Sequence, residues 1–375
     1  MVKAQISNAK VIDGAVEVTW SDGAAKSRFP FFWLKDHCHS AEGLHPETRQ
    51  RQVDTFTIPA DIAPAQLAVE EDGQLLRIQW RNGDGSSELP AGFLKEIAVT
   101  QGRERAPAYA LWDRATFGNA LPGVPYDEVM DDARGGLRRW LETIERYGFG
   151  LVRGVPATPE ATQALAERVG YIRQTIFGGF WDFTANLAYK DTAYTPVAIG
   201  PHTDGTYSFD PPGYQMFHCL QFDGSGGEST LVDGFKAADM LRANDPKAFE
   251  ILTEVAVPAH YIGDGVHLRA EHPVIGLDAN GGYRQIAYNN YDRAPFLLPN
   301  GRMGEFYRAL GQFNRLVNDP ALELEFRLEP GTVLLFDNWR CLHGRRAYQG
   351  YRRLCGAYLN KEDVESKLRL LRAAG

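Results

Sequence analysis

The sequence predicts a mainly β protein with flanking helices, in which a small N-terminal β domain precedes a larger antiparallel sandwich. Residues 1–95 alternate apolar and polar positions between turns such as DG and NGDG, which is typical of antiparallel strands. Beyond residue 126, strand-like runs outnumber helical segments, and few helices lie where a crossover would need them. Because a parallel doubly wound sheet needs a helix between most successive strands, we expect an antiparallel sandwich decorated by helices.

The composition limits the size, compartment and partners of the protein. The chain has 375 residues, a length that favours two domains, and its 44% of hydrophobic residues is typical of globular proteins. No apolar run is long enough for a transmembrane helix, and the first residues alternate like a strand and lack a signal-peptide pattern. The four cysteines have no framework spacing, so we expect reduced thiols and a cytoplasmic protein. The net charge of −8 disfavours binding to nucleic acids or anionic membranes.

The order of the elements follows from local signals. Residues 96–125 are rich in Gly, Pro and Ala, which predicts a linker, and residues 126–375 form the larger domain. Residues 137–148 place apolar side chains at helical spacing and end in a glycine, and a second helix is expected from Thr158, as N-cap, to Gly170. Further helices are expected at 236–243, 246–254, 302–318 and 363–373, and strands at 214–222, 229–233, 272–278, 283–288, 324–328, 332–337 and 352–359.

The run GPHTDGTYSF contains a candidate metal-binding pair. His202 and Asp204 are separated by one residue, and alternate residues of a strand share a face, so both can approach one ion where the strand ends. Among the nine histidines, His343 is the best third ligand, because it lies in FDNWRCLHGRRAY just past the strand-like run GTVLLFD. Two histidines and one carboxylate form the facial triad of non-haem Fe(II) oxygenases, which leaves positions open for a co-substrate and O₂.

Arg352 supports this interpretation. It follows His343 in the strand-like run RRLCGAYLN and shares strand parity with Tyr358. A guanidinium in this position can bind a dicarboxylate through paired hydrogen bonds. Its neighbour Arg353 points to the opposite face, where we expect a surface salt bridge.

The residues alone leave other interpretations open. An isolated H-x-D pair also arises by chance, and a non-catalytic binding module could keep the same fold. A structural zinc site would be closed and richer in cysteine, and a two-metal hydrolase would need more His and Asp nearby. The histidines that we expect in the core or on the surface are His218, His260, His267 and His272.

The motifs taken together resemble the γ-butyrobetaine dioxygenase and trimethyllysine dioxygenase family, within the taurine-dioxygenase superfamily. The resemblance rests on HTD, GGESTLVDG, FDNWRCLHGRRAY, the later arginine and the WLKDHC segment, and it extends over nearly the whole chain. It implies a double-stranded β-helix (jelly-roll) catalytic domain and the use of Fe(II), 2-oxoglutarate and O₂. It also implies that His202, Asp204 and His343 bind iron, that Arg352 binds the distal carboxylate of 2-oxoglutarate, and that Ser229 assists.

The resemblance further implies a substrate with a trimethylammonium group, which binds to the faces of aromatic rings because it has no N–H to donate. The positions that match the family's aromatic cage are Phe177, Trp181, Tyr194 and Tyr358. At the other end of the substrate, Asn289 matches one of two asparagines that hold the carboxylate of γ-butyrobetaine. Asp191 takes the place of the second, and an aspartate suits the α-ammonium of trimethyllysine better.

The expected function is hydroxylation of a small trimethylammonium compound, with γ-butyrobetaine as the default substrate. Trimethyllysine and the phosphonate 2-trimethylaminoethylphosphonate are the alternatives, and a non-catalytic protein that binds quaternary amines is the alternative from another class. Relatives hold a structural zinc in the N-terminal domain through a C-x-C-x-x-C run, of which only Cys38 remains here, so we expect no zinc. Family members are often dimers, which makes a homodimer an expectation from the resemblance alone.

Overall fold

The computed structural model of the chain describes residues 4–83, 85–100, 109–118, 120–184, 196–263, 265–299 and 301–374. It divides into two compact units, Met1–Ala106 and Pro107–Gly375. No helix among the described residues is both long and apolar enough to cross a membrane.

The first unit contains two antiparallel sheets of three strands each, in the orders β1-β2-β3 and β4-β5-β6. Its strands are β1 (Ile6–Ile12), β2 (Ala15–Trp20), β3 (Ser27–Pro30), β4 (Pro64–Glu70), β5 (Leu75–Trp80) and β6 (Ser86–Pro90), and its helices are α1 (Phe31–Asp36) and α2 (Ala91–Thr100). The two helices were not expected in an all-β unit. Helix α2 forms because Phe93, Leu94 and Ile97 follow helical spacing and pack on the core of the sheets, so regular structure continues past residue 95.

Cys38 and two nearby histidines of this unit, His37 and His45, contact other groups. The Cys38 thiol lies 3.0 Å from the Ser40 hydroxyl. The ring of His37 stacks on Trp33 at 4.3 Å between centroids, and His45 Nδ1 accepts hydrogen bonds from two following backbone N–H groups. These contacts fix the local turns.

The second unit is built on two main sheets. Six strands pair in the order β7-β8-β18-β11-β20-β9, and four pair in the order β10-β19-β12-β17. All of these pairs are antiparallel except β7 with β8. The strands are β7 (Gly123–Pro125), β8 (Phe149–Arg153), β9 (Phe180–Thr184), β10 (Ile199–His202), β11 (Tyr214–Gly226), β12 (Ser229–Asp233), β13 (Ala256–Gly263), β14 (Val266–Pro273), β15 (Ile275–Leu277), β16 (Tyr283–Ile286), β17 (Glu323–Phe326), β18 (Thr332–Asp337), β19 (Cys341–Arg345) and β20 (Tyr348–Leu359).

Helices cover the outer faces of these sheets, and the inner faces share a hydrophobic core and line the cavity described below. The helices are α3 (Arg114–Phe117), α4 (Tyr126–Met130), α5 (Gly136–Tyr147), α6 (Pro159–Val169), α7 (Gly234–Asn244), α8 (Pro246–Glu254), α9 (Arg302–Val317) and α10 (Lys361–Ala374). Helices α5, α6 and α10 bury apolar side chains against β11, β18 and β20, and α7, α8 and α9 form a second core with β12 and β16. The arrangement is the expected double-stranded β-helix with flanking helices.

Part of the expected linker belongs to the second unit. Between residues 109 and 125 the chain forms helix α3 and strand β7, and Trp112 is fully buried. The Trp112 indole donates to the carbonyl of Tyr147 (2.6 Å), and its ring packs edge-on against Phe149. Gly and Pro content indicates turns, but it does not reveal an aromatic anchor of this kind.

Candidate active site

Three ligand-type side chains meet at the end of β10. His202 is the last residue of β10 and pairs in register with His343 on β19, so the two imidazoles lie on neighbouring strands. His202 Nε2 lies 3.2 Å from Asp204 Oδ1, and His343 Nε2 lies 3.6 Å from Asp204 Oδ2. One ligand atom from each residue lies within 4.8 Å of the others. In the described part of the chain, this is the group of His, Cys, Asp and Glu side chains whose spacing could hold a metal ion.

Hydrogen bonds with Asn338 hold the segment that carries Asp204. The Asp204 N–H donates to Asn338 Oδ1 (2.8 Å), and Asn338 Nδ2 donates to the carbonyls of Asp204 (3.0 Å) and Pro212 (2.9 Å). On the other side, Thr203 N–H donates to the carbonyl of Tyr288 (2.8 Å). Asn338 lies in the turn between β18 and β19, so the strand that carries His343 also fixes the backbone of Asp204. Sequence reasoning missed Asn338, although it lies in the same FDNWRCLHG motif as His343.

The protonation of the group suits a divalent cation. His202 Nδ1 lies 2.9 Å from the carbonyl of Gly200 and donates to it, so Nε2, which lies 3.2 Å from Asp204 Oδ1, is the nitrogen available to a metal ion. Burial and the charge of His202 lower the pKa of His343 to about 3, so this imidazole is neutral at pH 7. Burial acts to raise the pKa of Asp204, but the charge of His343 and the hydrogen bond with His202 outweigh it and hold that pKa well below its ordinary value. Burial acts to lower the pKa of His202, but the hydrogen bond and the charge of Asp204 outweigh it and raise that pKa. A divalent cation takes the place of this proton, because metal-binding imidazoles are neutral, and two neutral imidazoles with an ionised carboxylate are the donor set of a non-haem Fe(II) site.

These three residues line a cavity of about 430 Å³. All the residues expected at the site that the structure describes line this cavity: Phe177, Trp181, His202, Asp204, Ser229, Asn289, His343, Arg352 and Tyr358. The two other expected residues, Asp191 and Tyr194, lie outside the described residues.

One end of the cavity is electropositive. Arg352 on β20 and Arg345 on β19 both line it, and their guanidinium carbons lie 5.7 Å and 5.0 Å from the centre of the Tyr348 ring. Burial and the charge of Arg345 lower the pKa of Arg352 to about 10. Ser229 on β12 lies directly opposite Arg345 in the strand register. This end of the cavity therefore favours an anionic ligand.

Arg345 was not among the residues expected at the site. It follows His343 by two positions on the same strand, so strand parity could have placed it on the same face. Arg353, by contrast, points away from the cavity and donates from Nε to Asp182 at 2.9 Å, which is the surface salt bridge expected from its parity.

The other end of the cavity has an aromatic wall, which consists of Phe177, Trp181, Tyr207, Tyr261 and Tyr358. Trp181 lies on β9 opposite Gly356 of β20, where a Cβ atom would lie 2.4 Å from the indole ring. The glycine therefore leaves room for the indole, whose centre lies 6.2 Å from the centre of the Tyr358 ring.

Two tyrosines of this wall were missed by sequence reasoning. Tyr261 packs edge-on against Phe177 at 5.9 Å and lies 5.4 Å from Tyr207. Tyr261 comes from the β13–β14 hairpin, which the sequence analysis did not predict, although the dipeptide DG between two alternating runs of the sequence is a recognisable hairpin signal.

Asn289 lines the cavity, but its amide also stabilises a turn. Its Oδ1 accepts from the backbone N–H of Tyr291 (2.9 Å), and its Nδ2 donates to Asp292 Oδ2 (2.7 Å). Asp292 also lines the cavity. Asn289 and Asp292 therefore form a polar wall of the cavity, with an amide and a carboxylate. Sequence reasoning missed the carboxylate.

Comparisons with known proteins agree with this geometry. Residues 107–358 match the family described as taurine catabolism dioxygenase TauD, TfdA family, and residues 8–95 match the family described as γ-butyrobetaine hydroxylase-like, N-terminal. Among curated proteins, the trimethyllysine dioxygenase of Meyerozyma guilliermondii is 39% identical over 95% of this chain and 93% of its own length. The mitochondrial trimethyllysine dioxygenase of Gallus gallus is 38% identical over 92% of this chain and 83% of its own.

Solved structures support the fold. A taurine dioxygenase from Burkholderia xenovorans superposes with a TM-score of 0.50 at 17% identity, over 64% of this chain and 88% of that chain. The family match extends over more than half of the chain, and the donor set in the cavity is the one that the chemistry requires. The chain therefore belongs to the TauD/TfdA dioxygenase family and is a non-haem dioxygenase that depends on Fe(II), 2-oxoglutarate and O₂.

Proposed function

We propose that the protein hydroxylates trimethyllysine. The observation that carries the proposal is a single cavity that contains the His–Asp–His group, an electropositive end and an aromatic wall. The printed names of the relatives from Meyerozyma guilliermondii and Gallus gallus support the same substrate.

In this proposal His202, Asp204 and His343 hold the iron. When bound, iron and 2-oxoglutarate supply the oxidation that consumes O₂, releases succinate and CO₂, and places one oxygen atom in a C–H bond of the substrate. The Asn338 hydrogen bonds keep Asp204 in place beside the two imidazoles.

Arg352 and Ser229 bind the distal carboxylate of 2-oxoglutarate. A guanidinium can make two parallel hydrogen bonds to a carboxylate, which fixes the orientation as well as the position of the co-substrate. Arg352 is buried beside the like charge of Arg345, and the carboxylate of the co-substrate offsets that positive charge.

The aromatic wall binds the trimethylammonium group. Ring faces attract a cation that has no N–H, and the attraction is stronger where water is excluded. Trp181, Tyr207, Tyr261 and Tyr358 are each less than a tenth exposed. Binding at this wall positions the alkyl chain of the substrate, and therefore the C–H bond that reacts.

The wall formed by Asn289 and Asp292 favours trimethyllysine over γ-butyrobetaine. Trimethyllysine carries an α-ammonium group at its far end, which a carboxylate attracts. γ-Butyrobetaine ends in a carboxylate alone, which Asp292 repels at close range. In the proposal, Asp191 has the same preference as Asp292.

A substrate panel tests the proposal. Purified enzyme with Fe(II), 2-oxoglutarate and O₂ is given trimethyllysine, γ-butyrobetaine, 2-trimethylaminoethylphosphonate or unmethylated lysine, and both succinate and the oxygenated product are measured by mass spectrometry. We expect trimethyllysine to give the highest kcat/KM with equal amounts of succinate and hydroxylated product, and lysine to give no product. A higher kcat/KM for γ-butyrobetaine or for the phosphonate would refute trimethyllysine as the substrate.

A further inference from the structure

A hydrogen-bond chain connects the aromatic wall to the metal-binding carboxylate. The Tyr358 hydroxyl lies 2.7 Å from Asp204 Oδ2, and Gln215 Nε2 lies 3.2 Å from the same hydroxyl. Gln215 and Tyr358 face each other on the paired strands β11 and β20. All three residues line the active-site cavity.

The chemistry of the three side chains decides which group donates and which accepts in each of these hydrogen bonds. Asp204 is ionised, so it can only accept, and Tyr358 must give its single hydroxyl proton to the carboxylate. The Tyr358 oxygen then has lone pairs left, and the Gln215 atom that faces it must be the amide nitrogen. Gln215 is 3% exposed, and its Oε1 has no hydrogen-bond partner among the described residues.

Tyr358 also presents its ring to the substrate side of the cavity. It shares the inner face of β20 with Arg352 and Leu354, and its ring lies edge-on to the indole of Trp181. The ring of Tyr358 therefore faces the part of the cavity proposed for the substrate, and its hydroxyl contacts the metal-binding carboxylate. Few other side chains have both an apolar face and a polar end.

We infer that Tyr358 is a positioning residue for the iron, through the hydrogen bond from its hydroxyl to Asp204, in addition to its contribution to the cage. The hydroxyl keeps the carboxylate oriented towards the two imidazoles before any metal binds. Hydrogen bonds of this kind to a metal ligand change metal affinity by about 10- to 100-fold when they are removed. The inference rests on the proposed function only for the identity of the cation at the ring, and its metal-binding part is independent of the substrate.

Two substitutions at this position separate the two roles. Tyr358→Phe keeps the ring and removes the hydroxyl, and Tyr358→Leu removes both. The affinity for Mn²⁺, a redox-stable probe for the iron site, is measured by calorimetry in the presence of 2-oxoglutarate, and the KM for trimethyllysine is measured at saturating Fe(II). We expect Tyr358→Phe to weaken Mn²⁺ binding by about 10-fold or more and to change the KM by less than about 2-fold. Tyr358→Leu should weaken Mn²⁺ binding equally and also raise the KM by at least about 10-fold, which corresponds to a lost cation–π contact.

Two further variants serve as controls. Gln215→Leu removes the donor to Tyr358 and should weaken Mn²⁺ binding less than Tyr358→Phe does. Tyr261→Phe removes a hydroxyl from the same aromatic wall, and it should leave Mn²⁺ affinity within about 2-fold of the wild type. Thermal unfolding of each metal-free variant shows whether it is folded.

Each result bears on the inference. Wild-type Mn²⁺ affinity in a folded Tyr358→Phe variant would overturn it, even if trimethyllysine is the substrate. A loss of Mn²⁺ affinity in Tyr261→Phe equal to that in Tyr358→Phe would also overturn it, because the effect would not depend on the bond to Asp204. If trimethyllysine is not hydroxylated by the wild type but Tyr358→Phe binds Mn²⁺ weakly, the proposed function fails and the positioning role stands.

Discussion

Arg352 and Arg353 are adjacent on β20 but lie in opposite environments. Arg352 faces the active-site cavity, where burial lowers its pKa to about 10, whereas Arg353 is paired with Asp182 on the outer side. The alternation of side chains along a strand therefore decides which of two identical residues can meet the co-substrate. This difference provides a matched pair of variants.

We predict that Arg352→Ala raises the KM for 2-oxoglutarate by about 10- to 100-fold, because a hydrogen-bonded pair with a charged group contributes about 1.5–3 kcal/mol. The KM for the amine substrate should change much less, since the aromatic wall is intact. Arg353→Ala, which loses an exposed ion pair, should leave both constants within about 2-fold. Steady-state kinetics with each substrate varied in turn tests this, and equal effects of the two substitutions would argue against the role of Arg352.

At the scale of elements, the site depends on how β10 and β19 are held together. Their short pairing aligns His202 with His343, and Asn338 connects the following segment to the turn before β19 through three hydrogen bonds, of which one is buried and two are partly buried. Strands β10 and β19 therefore supply the two histidines, and the segment after β10 and the turn before β19 supply Asp204 and its support. The relative positions of the three metal-binding side chains therefore depend on β10, β19 and the turn before β19.

We predict that Asn338→Ala lowers the free energy of unfolding by about 2–4 kcal/mol, because it leaves one buried backbone N–H and two carbonyls without their partner. Mn²⁺ affinity should fall in the same variant, since Asp204 loses its support. Chemical denaturation and calorimetry measure the two quantities. Asn280→Ala, at an exposed turn, is the control and should change the stability by less than about 0.5 kcal/mol. A stability loss at Asn338 no larger than that of the control would contradict this account.

For the molecule as a whole, the core beneath the six-stranded sheet makes stability depend on pH. His218 on β11 is fully buried, its Nδ1 lies 2.6 Å from the Thr162 hydroxyl of α6, and burial lowers its pKa to about 4. Between pH 6.5 and 4 the unfolded chain binds a proton at this imidazole and the native state does not. The free energy of unfolding therefore rises with pH across this window. Above pH 6.5 the protonation of His218 no longer affects it.

We predict that acidification from pH 6.5 to 4 removes up to about 3 kcal/mol of stability through His218, at about 1.4 kcal/mol for each pH unit by which its pKa is shifted. The variant His218→Gln cannot titrate there, so the slope of its unfolding free energy against pH should be shallower over the same range. Urea denaturation at a series of pH values gives both slopes. If the two slopes are equal between pH 4.5 and 6.5, His218 does not contribute to the acid sensitivity.

Much of the site could be predicted from the sequence because its signals are local. His202 and Asp204 are two residues apart, and Arg352 has a parity that can be read along one strand. Tyr261 could not be found in this way, because it reaches the cavity only through packing of a hairpin against Phe177. The bond between Tyr358 and Asp204 likewise joins residues that are far apart in the chain.

The same distinction applies to the fold. The helices after residue 136 were predictable because apolar spacing and caps such as Thr158 lie within the elements themselves. The sequence predicts a linker for the segment that carries Trp112, because the burial of this side chain depends on contacts with β8 and with the last residue of α5. Long-range burial of this kind leaves little trace in local composition.

The measurement that tests the central claim most directly is anaerobic binding of Fe(II) with 2-oxoglutarate, followed by visible charge-transfer absorption and by metal analysis. The account predicts one iron per chain with this absorption in the wild type, and loss of both the tightly bound iron and the absorption in His343→Ala and in Asp204→Ala. If His343→Ala binds iron and 2-oxoglutarate as the wild type does, His343 is not a ligand, and the assignment of the metal site is contradicted.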